Sequence, residues 1–158
     1  MKPDTRALAA RGLAEIALRG AYLREVMQRD APKLADPRDR ALLMALFSEG
    51  ARWWLRFDAA VDGLLEKSLK HKDPAVHALL VLGLIQLEIL ELQDYAAVAA
   101  TVEAVRALKR PQLAGLINAV LRRWQREREV LLATLDAKTQ TRHAHPQWLA
   151  NAVQRDWP

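Results

Sequence analysis

The chain has 158 residues, 51% hydrophobic and 27% charged, which suits one globular domain, or two small subdomains sharing a core, and excludes a disordered chain. Its 24 lysines and arginines against 19 acids leave a net charge of +5, an excess that favours polyanionic partners without requiring them. Cysteine is absent, which excludes disulfides, thiolate metal sites and a cysteine nucleophile within this segment.

Leucine and alanine dominate the hydrophobic residues, while aromatics make up 6% and glycine only 6 positions. Leucine and alanine are strong helix formers and β-branched runs are scarce, so the expected fold class is all-α. No apolar region follows the charges of the N-terminal Met-Lys-Pro-Asp-Thr-Arg, so no secretory signal is expected. The longest apolar run, Val76 to Leu87, spans about 12 residues against about 20 needed to cross a bilayer, so no membrane partner is expected. The expected location is the cytoplasm.

Six or seven helices account for nearly the whole chain. The first runs from Asp4 or Thr5 to Arg19, with either residue as cap and with Leu8, Leu13 and Ile16 on one side. Ala21 to Gln28 continues or restarts it, and the two prolines between Arg29 and Pro37 mark a loop. Asp36-Pro37 is a helix start, with Asp as cap and Pro in the first turn, followed by Leu42, Leu43, Leu46 and Phe47 at helical spacing. Asp58 begins another helix with Val61, Leu64, Leu65 and Leu69 inward. The polar stretch Lys70 to Pro74 is the expected subdomain boundary.

Asp73-Pro74 opens a central helix that is apolar nearly all round from Val76 to about Leu90, and such a helix must be buried nearly all round. Tyr95 to Leu108 and Pro111 to Leu135 supply two more. In the latter, Leu113, Leu116, Ile117, Val120, Leu121 and Trp124 follow the i, i+3, i+4, i+7 series. Asn118 interrupts that stripe and, if buried, needs a hydrogen-bond partner on a neighbouring element. Gly83 and Gly115 would allow close helix approach.

Candidate sites are cationic. Arg122, Arg123, Arg126 and Arg128 decorate the end of the last long helix, with Lys109 and Arg110 at its start. A phosphate backbone needs several cations on one face, and the arginine fork matches phosphate oxygens. The same residues also read as a solvated helix end whose cations suit the C-terminal dipole. Arg6 and Arg11 on the first helix lie roughly 140° apart, so they form no single clamp. Arg52-Trp-Trp-Leu-Arg-Phe57 interleaves aromatics and arginines, a pattern that could stack bases but that fits core packing with one partly exposed ring better. The histidines, His71, His77, His143 and His145, have no partner at a metal-ligand spacing, so no metal is expected. No phosphate-binding loop, dinucleotide fingerprint or serine nucleophile motif is present, so no catalytic residue is expected here.

Several motifs then fall in one order. They are Arg6-Ala-Leu-Ala-Ala-Arg-Gly-Leu-Ala-Glu-Ile16, Asp36-Pro-Arg-Asp-Arg-Ala-Leu-Leu43 with Gly50 and Arg52, and His77-Ala-Leu-Leu-Val-Leu-Gly-Leu-Ile-Gln-Leu87. Ala96-Ala-Val98 with Val102-Glu103, Gly115-Leu-Ile-Asn-Ala-Val-Leu-Arg122, and His145-Pro-Gln-Trp-Leu149 complete them. Together they resemble the N-terminal, NusB-like domain of the Sun/Fmu family of 16S ribosomal RNA cytosine-5 methyltransferases. Tyr95, Ile85 and Ala99-Ala100 depart from that family's usual residues.

The resemblance implies a fold of two packed small helical bundles over residues 1–141. It also implies that residues 142–158 lead toward a downstream methyltransferase domain, with His145, Pro146, Trp148 and Leu149 as the interdomain contact. The implied partners are small-subunit ribosomal RNA, docked through Arg6, Arg11, Lys109, Arg110, Arg122, Arg123 and Arg126, and the downstream domain itself. S-adenosylmethionine and the reactive cysteines would belong downstream, so this segment would hold no cofactor and catalyse nothing alone. The alternatives are a free-standing NusB-type antitermination factor and a helical protein-interaction domain without RNA affinity.

Overall fold

The computed structural model describes residues 2–144. Among them are nine α-helices and no strand: α1 (Thr5–Arg19), α2 (Leu23–Asp30), α3 (Pro37–Arg52), α4 (Trp54–Leu64), α5 (Pro74–Glu88), α6 (Asp94–Ala107), α7 (Ala114–Arg126), α8 (Arg128–Asp136) and α9 (Thr139–His143). The all-α expectation holds. Two of the expected caps form as read: Asp4 accepts from the Ala7 amide and Asp36 from the Arg38 amide, each at 2.8 Å. Asp73 precedes α5 but makes no cap, because its carboxylate takes the Arg110 guanidinium at 2.8 Å instead.

Every residue from Val76 to Gln86 is buried, so α5 is the middle of the fold. It is contacted by α1, α3, α4, α6 and α7. Gly83 makes the approach of α7 possible: a Cβ there would lie 2.8 Å from Leu121. Gly12 does the same for α3, where a Cβ would meet the Phe47 ring at 2.5 Å. Gly115, by contrast, is exposed with nothing within 4 Å of a built Cβ, so it brings no helix closer.

Helices α1–α3 pack on one another, and α4 packs with α5, α7, α8 and α9 as well as with α3. Trp53, at φ −105° and ψ 13°, kinks the chain between α3 and α4. Helix α4 begins four residues before Asp58, because Asp58 is a mid-helix residue whose carboxylate serves side chains rather than the backbone. The helix stops at Leu64, so the predicted inward Leu69 lies in a loop.

The single long helix expected over 111–135 is three pieces: a 3₁₀ turn at Pro111–Leu113, then α7 and α8. Glu127, at φ −108° and ψ 18°, is the break. Glu88 pins it from the core side, its carboxylate accepting from the Trp124 indole at 2.8 Å and from Nε and Nη2 of Arg128 at 2.6 and 2.7 Å. The ion pair raises the Arg128 pKa, chiefly through those hydrogen bonds. The bend turns α8 onto α4 and α9. The domain edge expected at 141/142 falls within α9. His145, Pro146, Trp148 and Leu149 lie outside the described residues.

Candidate nucleic-acid interface

The seven predicted cations do not share one environment. Arg6 is half-buried, and its Nε donates to the Gln86 side-chain oxygen at 2.6 Å. Gln86 in turn donates to the Thr101 hydroxyl at 3.0 Å and to the Leu82 carbonyl, while Thr101 donates to the Ala97 carbonyl. Gln86 and Thr101 are fully buried, so these bonds meet the requirement that interior polar groups be paired. Burial lowers the Arg6 pKa, opposed by the nearby carboxylates of Asp4 and Asp39. Arg6 thus completes an interior network through its Nε, while the side chain stays half-buried at the surface.

Arg11, Lys109 and Arg110 come together where α1 passes the end of α6. Arg11 is exposed and one arm donates to the carbonyl of Ala107, the last residue of α6, at 3.1 Å. Two residues later Lys109 adopts a left-handed conformation, φ 63°, and Arg110 closes on Asp73. Arg19 shares a cleft with Arg11 and Asp73 beside the start of α5.

The α7 cations divide by helix geometry. Arg122 and Arg126 are four residues apart, roughly 40° around the axis, so they line up on one exposed face. Arg123 points elsewhere and pairs with Glu127 at 2.9 Å. Lys109, Arg122 and Arg126 enter neither an ion pair nor a side-chain hydrogen bond among the described residues. They are the cations of the predicted set most open to an external anion. Lys109 lies in the turn after α6, whereas Arg122 and Arg126 lie in the C-terminal half of the 13-residue α7.

Asn118 is exposed on α7 rather than buried. It sits about 100° from Ile117 around the helix, off the inward face formed by Ile117, Val120, Leu121 and Trp124, so no interior partner is required. In the aromatic–arginine run, Trp54 is buried and Trp53 half-buried with its indole donating to Glu49 at 3.0 Å. Arg52 lies over the Trp53 ring at 5.7 Å and Arg56 over Phe57 at 5.8 Å, so this run is internal packing with one partly open ring.

Comparison with known proteins bears on what such a surface belongs to. A model of the NusB family matches residues 3–126. The chain belongs to the NusB family. Relatives carrying the name "Ribosomal RNA small subunit methyltransferase B" match it nearly end to end. The Pseudomonas putida protein is 42% identical over 98% of this chain and 35% of its own length. The Klebsiella pneumoniae protein is 38% identical over 98% of this chain and 36% of its own length. The Xanthomonas campestris protein is 41% identical over 97% of this chain and 33% of its own length. The chain spans about a third of the length of these curated relatives.

Sequence reasoning missed three features of this NusB domain. Tyr22 and Tyr95 are each 72% exposed, open aromatic faces that no apolar periodicity marks. Lys67 and Lys72 belong to the loop after α4 and face α7 across a groove, a placement only the tertiary structure creates. The third is a polar cluster built around the buried His77. His77 Nε2 meets Asp58 at 2.8 Å, and Lys70 bridges Asp58 and Asp62 at 2.9 and 3.0 Å. Asp58, Asp62 and His77 have the mutual spacing of metal ligands, but the Lys70 ammonium already sits against both carboxylates and satisfies them electrostatically. Burial pushes the Asp58 pKa up, yet the bonds from His77 and Lys70 outweigh it and hold the carboxyl below its ordinary range. Lys70 is held above its ordinary value by the same two carboxylates, against its own burial. No helix among the described residues is long and apolar enough to cross a membrane.

Proposed function

We propose that this NusB domain is the N-terminal RNA-docking part of an S-adenosylmethionine-dependent methyltransferase that modifies a cytosine of small-subunit ribosomal RNA. The observation that carries the reading is that the chain aligns almost completely with about a third of three proteins named as ribosomal RNA small subunit methyltransferases. The remaining two thirds of such a protein is where methyl transfer and cofactor binding belong. The domain's own contribution is binding: Lys109, Arg122 and Arg126 offer unpaired cations to phosphate, with Arg11 beside the first of them. Tyr95 adds an exposed ring on which a base could stack. Residues 142–158 lead toward the catalytic domain, with His145, Pro146, Trp148 and Leu149 as the contact. The expected site of action is the cytoplasm, where ribosomal RNA is processed.

The size of the native polypeptide tests this directly. An antibody raised against the domain should detect a cellular band two to three times the mass of the 17.8 kDa chain. A band at 17.8 kDa would contradict the proposal and favour a free-standing NusB-type factor.

A further inference from the structure

A groove separates the loop after α4 from the outer face of α7. Its floor is aliphatic: Leu64, Leu65 and Leu69 from one wall, Leu116, Ala119 and Val120 from the other. Its volume is about 580 Å³, within the range of clefts that take a few apolar groups. Lys67, Lys72 and Arg123 stand on its rim against a single acid, Glu66. Lys67 and Lys72 enter no ion pair among the described residues.

The wall is held in place from behind. Lys70 donates to Asp58 and Asp62, and the Ser68 hydroxyl donates to Asp62, so the loop is tied down on both sides of Leu69. The groove is therefore shaped before anything enters it. No aromatic ring lines it, so it lacks the stacking platforms by which single-stranded bases are held. Aliphatic floor and cationic rim instead match an amphipathic helix with apolar residues flanked by carboxylates, the helix-in-groove mode of recognition. Its source follows from where the chain goes. Helix α9 packs on α4, the helix that runs directly into the groove's wall. The matched part is only about a third of each relative's length, which leaves ample polypeptide outside it.

We infer that the groove between residues 64–72 and α7 docks an acidic, amphipathic helix of the polypeptide that follows this domain. The inference rests on the proposed reading of the chain as part of a longer protein, and it assigns the surface that such a protein uses internally. The basic stations of α7 are left free for RNA.

Photo-crosslinking in the full-length product of the native gene tests it. A photoreactive amino acid is placed at Ala119, which is exposed on the groove, and separately at Lys72 on its rim. A control at Gln112 lies exposed outside the groove. Both groove positions should crosslink within the same molecule to one segment beyond residue 158, mapped by mass spectrometry to apolar residues flanked by Asp or Glu. Lys67→Glu and Lys72→Glu with the photoreactive residue at Ala119, or Ala119→Arg and Lys67→Glu with it at Lys72, each shown folded by circular dichroism, should lower the crosslink yield at least several-fold, and an unchanged yield would overturn the inference. Crosslinks to RNA, to a second copy or to residues 1–158, no crosslink at either position, or a native product ending at residue 158 would each overturn the inference. Salt-dependent RNA binding by the 158-residue chain reports separately on RNA docking, so that reading can survive the loss of this one.

Discussion

Arg6 shows how one residue can look cationic in a sequence and behave as part of a core. The opening helix presents Arg6 and Arg11 as equivalent charges, yet Arg6 ends on buried Gln86 and Arg11 on the exposed end of α6. The sequence contains no signal for this, because the partner is 80 residues away. Arg6→Met should leave the Gln86 oxygen buried without its donor and destabilise the fold by about 1–3 kcal/mol. Urea unfolding measures that loss; an unchanged midpoint would contradict the network. The salt dependence of RNA binding should stay as in the wild type, since Arg6 is not among the unpaired cations.

Asp58 carries a pH signature at the same scale. Its folded-state pKa lies below its unfolded value, so its stabilisation is complete above the ordinary carboxylate value of about 4 and fades as pH falls through the folded-state value. The stability difference between wild type and Asp58→Asn should therefore be largest near neutrality and shrink in acid, below about pH 4. Urea midpoints at pH 7 and pH 3 give the two differences, and equal values would refute the assignment. Asp30 is held low by Arg29 and Lys33 against its own burial and fades in the same direction, but it lies outside the Asp58 cluster, so its contribution cancels in the difference.

At the scale of elements, periodicity was informative about faces and poor at breaks. The inward positions Ile117, Val120, Leu121 and Trp124 could be read directly, and so could the wholly apolar α5, because burial follows a 3.6-residue period. The break at Glu127 could not, since Arg-Glu-Arg-Glu continues a helical pattern and the bend is imposed by Glu88 from another helix. The two glycines expected to serve as close-packing points separate for the same reason. Only a neighbour decides whether a missing Cβ matters. Gly83→Ala should cost about 1–3 kcal/mol through overpacking against Leu121. Gly115→Ala, in open space in the first turn of α7, should stabilise by up to about 1 kcal/mol. Thermal melts of the pair compare them, and shifts of the same sign would contradict this packing.

Over the whole molecule, the all-α class and the shared central helix were legible from composition and the single apolar run. Lys70–Pro74 carries every sequence mark of a boundary, yet Lys70 ties that loop back to α4 and Arg110 ties Asp73 to the α6–α7 turn. A polar loop can be a seam instead of an edge. The candidate RNA surface was legible as a set of residue types, but which cations remain unpaired depends on Asp73, Glu127 and Gln86, placed opposite them by the fold.

RNA affinity of the 158-residue chain for a small-subunit ribosomal RNA fragment, titrated against salt, tests the central claim most directly. Each phosphate neutralised should contribute about −0.7 to −0.9 to the log–log slope, so several contacts give a steep line. Arg122→Glu with Arg126→Glu should flatten that slope by about one to two units while leaving the fold intact. A wild-type slope near zero would contradict RNA docking by this domain. A steep slope unmoved by the double reversal would remove α7 from the interface.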